Sequence, residues 1–178
     1  MSYRDQLVLT GEINDVGAAV MTNVPVSYRT GTELSASYII SKKLKASANL
    51  TLSSNKIKDF TEFVDDWDNW GAQIENKIGK TDLAFSPSTV AGASVEWSFF
   101  KGFGLNLNGK YVSRQFIDNT ASDERSLDPY FVTNLRLNWT IEPDFMRGLE
   151  VNLNINNLFN TEYETNAWVY RYYYDGSY

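Results

Sequence analysis

Cysteine and histidine are both absent from this 178-residue chain. Without cysteine there are no disulfides and no thiol chemistry, although this says little about compartment. Without histidine the commonest general base and the commonest metal ligand are missing. Together the two absences exclude nucleophilic triads of the common kinds. A long basic run is missing too, and the net charge of −6 with a pI of about 4.7 argues against nucleic acid as a partner. No window approaches the run of about 20 apolar residues that a membrane helix requires. The residues after Met1, Ser2-Tyr3-Arg4-Asp5, open no apolar core of a signal peptide.

What is present is alternation. Leu34 to Ser41, Leu44 to Ser53, Ala91 to Phe99, Phe103 to Tyr111, Thr133 to Ile141 and Leu149 to Asn156 alternate apolar and polar residues almost without error. In the last stretch Leu149, Val151, Leu153 and Ile155 are separated by Glu150, Asn152, Asn154 and Asn156. Successive strand side chains point to opposite faces, so each stretch has one oily face and one wet face. The oily face is rich in Leu, Tyr, Trp and Phe, and the wet one in Asn, Ser, Thr, Lys, Arg and Glu. That is the pattern of a transmembrane β-barrel wall, with lipid outside and water or a plug inside. Such a wall reconciles a mean hydropathy of −0.36 with a membrane, because half of each strand can be polar. Aromatic girdles at the two interfaces would account for the aromatic content of 15 %, as would a Tyr-rich core of a soluble sandwich.

The connections sort by length and alternate. Lys42-Lys43, Lys101-Gly102 and Glu142 to Gly148 are short, whereas about Gly11 to Pro25, Asn55 to Ser86 and Ile117 to Asp128 are long. Outer-membrane barrels show this asymmetry, with tight periplasmic turns and longer extracellular loops. The expected fold is all-β: an antiparallel up-and-down barrel wall of about seven complete strands over residues 1–178, with an eighth partial segment after Asn157. The first strand, about Tyr3 to Thr10, is less regular because Asp5 stands where an apolar residue belongs. Trp97, Phe99, Phe100, Phe103 and Phe145, with Tyr38 and Trp139, are placed for a girdle near the short turns. Seven strands do not close a bacterial barrel, which uses even numbers from 8 upward, and lipid does not tolerate open sheet edges. The wall is therefore expected to be incomplete.

Candidate sites lie at the long-loop end. Asp65, Asp66, Trp67, Asp68 and Trp70 crowd one loop, and Tyr170 and Tyr172 belong to a dense aromatic run near the terminus. Rings of this kind pack on each other or stack on a ligand, with the loop carboxylates solvated. Asp66-Trp67-Asp68-Asn69-Trp70-Gly71 begins like a calcium loop, but Trp70 replaces the third oxygen ligand and Lys77 stands where the bidentate Glu belongs. No constellation of groups for acid–base or covalent catalysis is found, so no enzyme, cofactor or metal centre is expected. On the polar face Asn49, Asn106, Asn108, Asn134, Asn138, Asn152 and Asn154 recur, with Lys45, Lys110 and Arg136. Asn both donates and accepts, which suits a wall that meets water and an enclosed domain.

Leu153-Asn154-Ile155-Asn156-Asn157-Leu158-Phe159-Asn160, followed by Tyr163, resembles the Asn-Leu-Phe-Asn/Asp-x-x-Tyr signature of TonB-dependent receptors, which lies on the penultimate barrel strand of that family. Tyr3 to Gly11 with Asn14 to Gly17, Tyr28 to Leu34 and Arg125 to Phe131 are similar to strand-and-loop pairs of its Bacteroidetes-type members. The resemblance implies a 22-stranded barrel in the outer membrane of a Gram-negative bacterium, plugged by an N-terminal domain. It implies uptake of a scarce substrate of the ferric siderophore, haem, cobalamin or oligosaccharide class. The energy would come from the inner-membrane TonB complex, acting through an N-terminal part that is missing here. Plug domain, TonB box and closing strand are not among these residues, which makes the chain the last third of a barrel, short of its final strand. Two other readings stand beside it: a soluble β-sandwich of carbohydrate-binding type, with Trp67 and Trp70 stacking on sugars, and a small passive porin-like barrel. A sandwich buries its apolar faces between two sheets about 10 Å apart, and that separates it from a wall.

Overall fold

A computed structural model describes residues 1–145 and 148–177. Eleven strands follow in order: β1 (Ser2–Ile13), β2 (Ala19–Ser41), β3 (Leu44–Asp66), β4 (Ala72–Asp82), β5 (Thr89–Phe100), β6 (Phe103–Val112), β7 (Gln115–Phe116), β8 (Ser126–Leu127), β9 (Tyr130–Ile141), β10 (Leu149–Ile155) and β11 (Tyr172–Tyr173). Seven of them form one continuous antiparallel path, β1-β2-β3-β5-β6-β9-β10. They correspond to the seven expected strands, with β1 paired only to residues 19–28 of β2, level with the part of β3 beyond Asn55. Among the described residues no second layer covers them; β7 and β8 make only a two-stranded ribbon.

Two expected loops are largely strand. β2 and β3 each run for 23 residues, more than twice the 9–11 that cross a bilayer. The segment Asn55 to Ser86 is the upper part of β3, a turn, and β4 returning beside it, from Lys56↔Asp82 to Asp66↔Ala72. Within Gly11 to Pro25 only residues 14–18 turn, between β1 and β2. Alternation fades there because both faces of a hairpin that projects beyond the membrane meet water. The lower half of β3 pairs instead with β5, from Leu44↔Trp97 to Leu52↔Thr89. The expected eighth segment does not become a wall strand: residues 157–171 take no strand, and β11 pairs in parallel with the tip of β3.

Register assigns the two faces. Lys45↔Glu96, Asn49↔Gly92, Asn106↔Arg136, Asn108↔Asn134 and Arg136↔Asn154 are direct cross-strand pairs, so these residues share one face. Leu105↔Leu137, Leu107↔Leu135, Val151↔Trp139 and Leu153↔Leu137 share the other. The apolar face is exposed to its surroundings, with Leu34 at 59 % and Leu153 at 54 %. For a soluble domain that exposure would be untenable; for a wall in lipid it is the stabilising contact.

Tyr38, Trp97, Phe103 and Trp139 fall at one level near the short turns, linked through Leu44↔Trp97 and Phe103↔Trp139. Phe99 packs against Trp97, Phe100 and Phe103 with ring centroids 4.9, 5.3 and 5.0 Å apart. Tyr111 faces Phe131 at the opposite level. From Phe103 to Tyr111 the rise is about 27 Å along the strand at ~3.4 Å per residue. With a strand tilt of about 40° that is roughly 20 Å along the membrane normal, close to the apolar band of such barrels.

Irregularities fall where the sequence forces them. Asp5 is left-handed, at φ 50, opposite Pro25, which has no N–H to donate. Next to this break the Ser27 hydroxyl donates to the side-chain oxygen of Gln6. The small apolar core lies nearby, where Val8, Val24, Ile57 and Leu83 bury each other with Phe60 against them.

Candidate functional site

The long-loop end is built on the β3–β4 hairpin. Asp66 closes its turn: one carboxylate oxygen accepts from the N–H groups of Asp68 and Asn69 at 3.0 and 3.2 Å, the other from the Asn69 side chain at 2.9 Å. The Asn69 side chain is the main reason its carboxyl sits below the usual range. Asp66 is thus a turn cap. The C-terminal segment returns to this tip, with Tyr172 beside Asp65 and Tyr173 beside Asp66. Trp67 stacks on Tyr172, centroids 4.5 Å apart and planes 22° from parallel. The Tyr170 hydroxyl donates to Asp65 at 3.4 Å, and Asp68 accepts the N–H of Asp175 at 3.1 Å. Trp70 points outward at 91 % exposure. An open depression lies between Asp65, Asp66, Trp67, Trp70, Gln73 and Tyr170. The structure therefore gathers Asp65, Trp67, Asp68, Tyr170 and Tyr172 with Asp66 beneath them and leaves Trp70 on the rim.

Below the tip is a cluster that the sequence patterns do not reveal. Glu62 is not a solvated loop carboxylate: its side chain is only 13 % exposed. It accepts from Arg171 at 2.6 Å, from Arg125 at 3.3 Å and from the Asn76 amide at 3.2 Å. Arg125 also reaches Asp118 at 3.1 Å and donates to the Thr120 hydroxyl at 2.7 Å. Asn119, fully buried, accepts from the N–H of Ala84 at 2.9 Å and donates to the carbonyl of Leu9 at 2.6 Å. One side chain so ties residues 113–129 to both β1 and the segment between β4 and β5. Glu12 faces the same space, and its pKa is raised by burial first and then by the charges of Asp65, Glu62 and Asp118. These groups line a cavity of about 270 Å³ together with Val20, Phe60 and Thr61. The sequence signal for the cluster is slight: Arg125 and Arg171 are two cations among several of both signs at this end, and periodicity does not weigh them.

On the polar face of the wall the expected residues do meet. Ser47 and Ser94 hydroxyls lie 2.8 Å apart, Arg136 donates to Asn154 at 2.7 Å, and Asn134 donates to Asn108 at 3.3 Å. The amides of Asn49 and Asn138 lie over Gly92 and Gly104 of the adjacent strand, where a Cβ would meet them at 2.9 and 2.7 Å. The wall is a hydrogen-bonded surface with shallow relief. Among the described residues no group of His, Cys, Asp or Glu is arranged to hold a metal ion. The chemistry on offer is recognition by rings, amides and carboxylates.

Residues 1–158 match the family described as TonB dependent receptor-like, beta-barrel. The chain belongs to the TonB-dependent receptor family. It contributes to the barrel of an outer-membrane protein of Gram-negative bacteria. Among solved structures the chain resembles the siderophore receptor PiuA of Acinetobacter baumannii, with 18 % identity and a TM-score of 0.67, over 96 % of this chain and 22 % of that one. It resembles the ferric yersiniabactin uptake receptor FyuA of Yersinia pestis at 16 % and 0.60, over 84 % and 21 %. The ferric-catecholate import receptor Fiu of E. coli K12 gives 18 % and 0.63, over 96 % and 22 %. Identities at this level establish the fold. The chain spans about a fifth of the length of these receptors.

The receptor signature is a turn, placed just beyond β10 rather than within it. Leu158 donates its N–H to the Thr133 carbonyl at 2.7 Å, and the Asn157 N–H goes to the Asn134 side chain at 2.9 Å. The Asn157 side chain then accepts from the Thr161 N–H and donates to the Thr161 carbonyl, at 2.9 and 3.0 Å. Asn157 and Asn160 both adopt φ 51, a region asparagine tolerates better than most residues. Tyr163 stacks on Tyr130 at 4.5 Å, while Phe159 is exposed at 71 %. In this receptor piece the signature turns the chain off the wall and sends it back towards β1 and β3.

Proposed function

We propose that residues 1–178 are the C-terminal portion of the barrel of an active outer-membrane transporter, which takes up a scarce substrate with energy from the inner-membrane TonB complex. The observation that carries this reading is the family match over residues 1–158, on a sheet whose one face is apolar and exposed and whose other face is a network of amides. In the whole receptor the polar face would meet a plug domain and the apolar face lipid. Candidate cargoes are ferric siderophores, haem, cobalamin and oligosaccharides; the receptors named above, with their siderophore and ferric cargoes, favour the first. Asp65, Trp67, Asp68, Trp70, Tyr170 and Tyr172 form the extracellular face offered to the cargo, and Asp66 holds the turn that carries them. The chemistry of this face is binding rather than catalysis.

The test is uptake. A Gram-negative host deprived of its own receptors and supplied with the whole protein that carries this sequence should take up one labelled member of these classes. Uptake should stop when the TonB complex is deleted. Passage of small solutes that continues without TonB would instead support a passive pore, and binding by a detergent-free soluble protein would overturn the reading.

A further inference from the structure

Three segments distant in sequence converge on one carboxylate. Glu62 stands on β3, Arg125 lies 63 residues further on in the lobe between β7 and β9, and Arg171 lies 109 residues further on in the returning C-terminal segment. Both arginines approach an acceptor that is largely withdrawn from water, their own side chains exposed by only 19 and 26 %. We infer that Glu62 is a latch: a positioning residue that holds the lobe and the C-terminal segment closed over the cavity between the β1–β2 and β3–β4 hairpins. The consequence reaches the proposed cargo face, because Arg171 lies between Tyr170 and Tyr172. Its 2.6 Å contact with Glu62 fixes the register in which Tyr172 meets Trp67 and Tyr170 meets Asp65.

The physical case rests on how little else holds the segment. From residue 159 to residue 168 no strand is formed, and the backbone of the segment rejoins the sheet through Val169 N–H to the Gly11 carbonyl at 2.8 Å, Trp67 N–H to the Tyr173 carbonyl at 2.9 Å and the two-residue β11. Such backbone bonds near water are individually weak, each worth on the order of 1 kcal/mol. A charge-assisted bond to a largely desolvated carboxylate is roughly twice as strong as a neutral one. Removing Glu62 would also leave Arg125 and Arg171 facing each other without the anion between them. Loss of that contact therefore removes the charged tie between the segment and β3 and leaves neutral contacts to hold it.

This inference rests on the receptor reading only for the side of the membrane from which the cavity is reached. The absence of cysteine from residues 1–178 makes single-cysteine labelling practicable here. In the whole receptor, in intact cells, Val20→Cys reports on the cavity and Trp70→Cys on the exposed rim, each read with a membrane-impermeant maleimide. Val20→Cys should label slowly, and Glu62→Gln or Arg171→Gln should each speed it about tenfold or more. The double variant should be no faster than either single one, and Arg171→Lys should restore slow labelling. Trp70→Cys should label equally in all backgrounds. Unchanged labelling of Val20→Cys in both Gln variants, with receptor abundance normal, would overturn the latch. If Glu62→Gln fails to assemble, Arg171→Gln, in a segment outside the wall, carries the test alone. Failure of Trp70→Cys to label from outside would instead count against the receptor orientation and leave the latch to be read in detergent.

Discussion

The ring of Trp67, at the tip of one hairpin, lies on the ring of Tyr172 from the far end of the chain, their centroids 4.5 Å apart. The pair presents a partly exposed aromatic surface at the top of the wall, with Asp65 and Tyr170 beside it. If this surface meets the cargo, Trp67→Ala should weaken cargo binding by the whole receptor about tenfold and leave its abundance in the outer membrane unchanged. Trp67→Phe should lose less, since aromatic pairs of this geometry contribute only about 0.5–1.5 kcal/mol beyond their buried area. Equal binding by both variants and the parent would remove Trp67 from the cargo face.

Asn119 gives a sharper prediction about stability. Its amide bonds two backbone groups, the N–H of Ala84 and the carbonyl of Leu9. In Asn119→Ala the Ala84 N–H is left unpaired in a buried place, at about 1–3 kcal/mol, and the Leu9 carbonyl loses its bond to the lobe. The lobe at residues 113–129 should then become the first site of cleavage when cells are treated with external protease. Asn119→Asp should behave no better, because it loses the donor to Leu9 and adds a charge next to Asp118. A lobe as resistant as the parent's in both variants would show that the clamp is redundant.

Two glycines with similar backbone angles should respond differently. Gly17 and Gly102 have φ of +79 and +75. A Cβ at Gly17 meets open space, whereas at Gly102 it collides with the carbonyl oxygen of Thr140, which accompanies a 2.6 Å bond from the Thr140 N–H to the Gly102 carbonyl. Gly17→Ala should cost only the left-handed strain, about 1–2 kcal/mol, and assemble normally. Gly102→Ala must separate the β5–β6 turn from β9 and should lower the yield of folded receptor severalfold. Similar yields would mean that the turn adjusts freely.

Glu12 makes the long-loop end sensitive to pH. Burial and the charges of Asp65, Glu62 and Asp118 raise its pKa above 4.5, so the folded state holds the proton more tightly than the unfolded one. Stability therefore falls as pH rises from that value through the raised one, and the loss persists above it. Hydrogen exchange at the amides of residues 10–13, corrected for intrinsic rates, should show protection declining over this window. Glu12→Gln should abolish the decline and protect better at pH 7.5. Identical pH profiles would remove Glu12 from the account.

The wall was legible in the sequence and the cluster above it was not, for a physical reason. Alternation survives only where one face meets lipid and the other a lumen, as from Leu149 to Ile155, so the six spanning strands from β2 to β10 and the shared polar face of Asn108, Asn134 and Asn154 can be read directly. Where β3 continues from Lys56 to Asp66 both faces meet water or other loops, the period is lost, and strand looks like loop. Trp67, Asp65, Tyr170 and Tyr172 stood out by composition and do come together. Glu62, Asn119 and Arg171 did not, because their roles come from contacts between segments 35 to 110 residues apart, which no local pattern encodes. Asn157 was recognised as part of a signature; its work as a turn that leaves the wall required the backbone angle.

The central claim is that one face of this sheet meets lipid and the other a polar lumen, and β6 tests it residue by residue. Spin labels placed singly from Leu105 to Tyr111 in the whole receptor, reconstituted in bilayers, can be read for access to oxygen, which concentrates in lipid, and to a water-soluble nickel chelate. The account predicts a two-residue oscillation, with oxygen access high at Leu105, Leu107, Gly109 and Tyr111 and low at Asn106, Asn108 and Lys110. The absence of that oscillation, or oxygen access at the asparagines equal to that at the leucines, would contradict it.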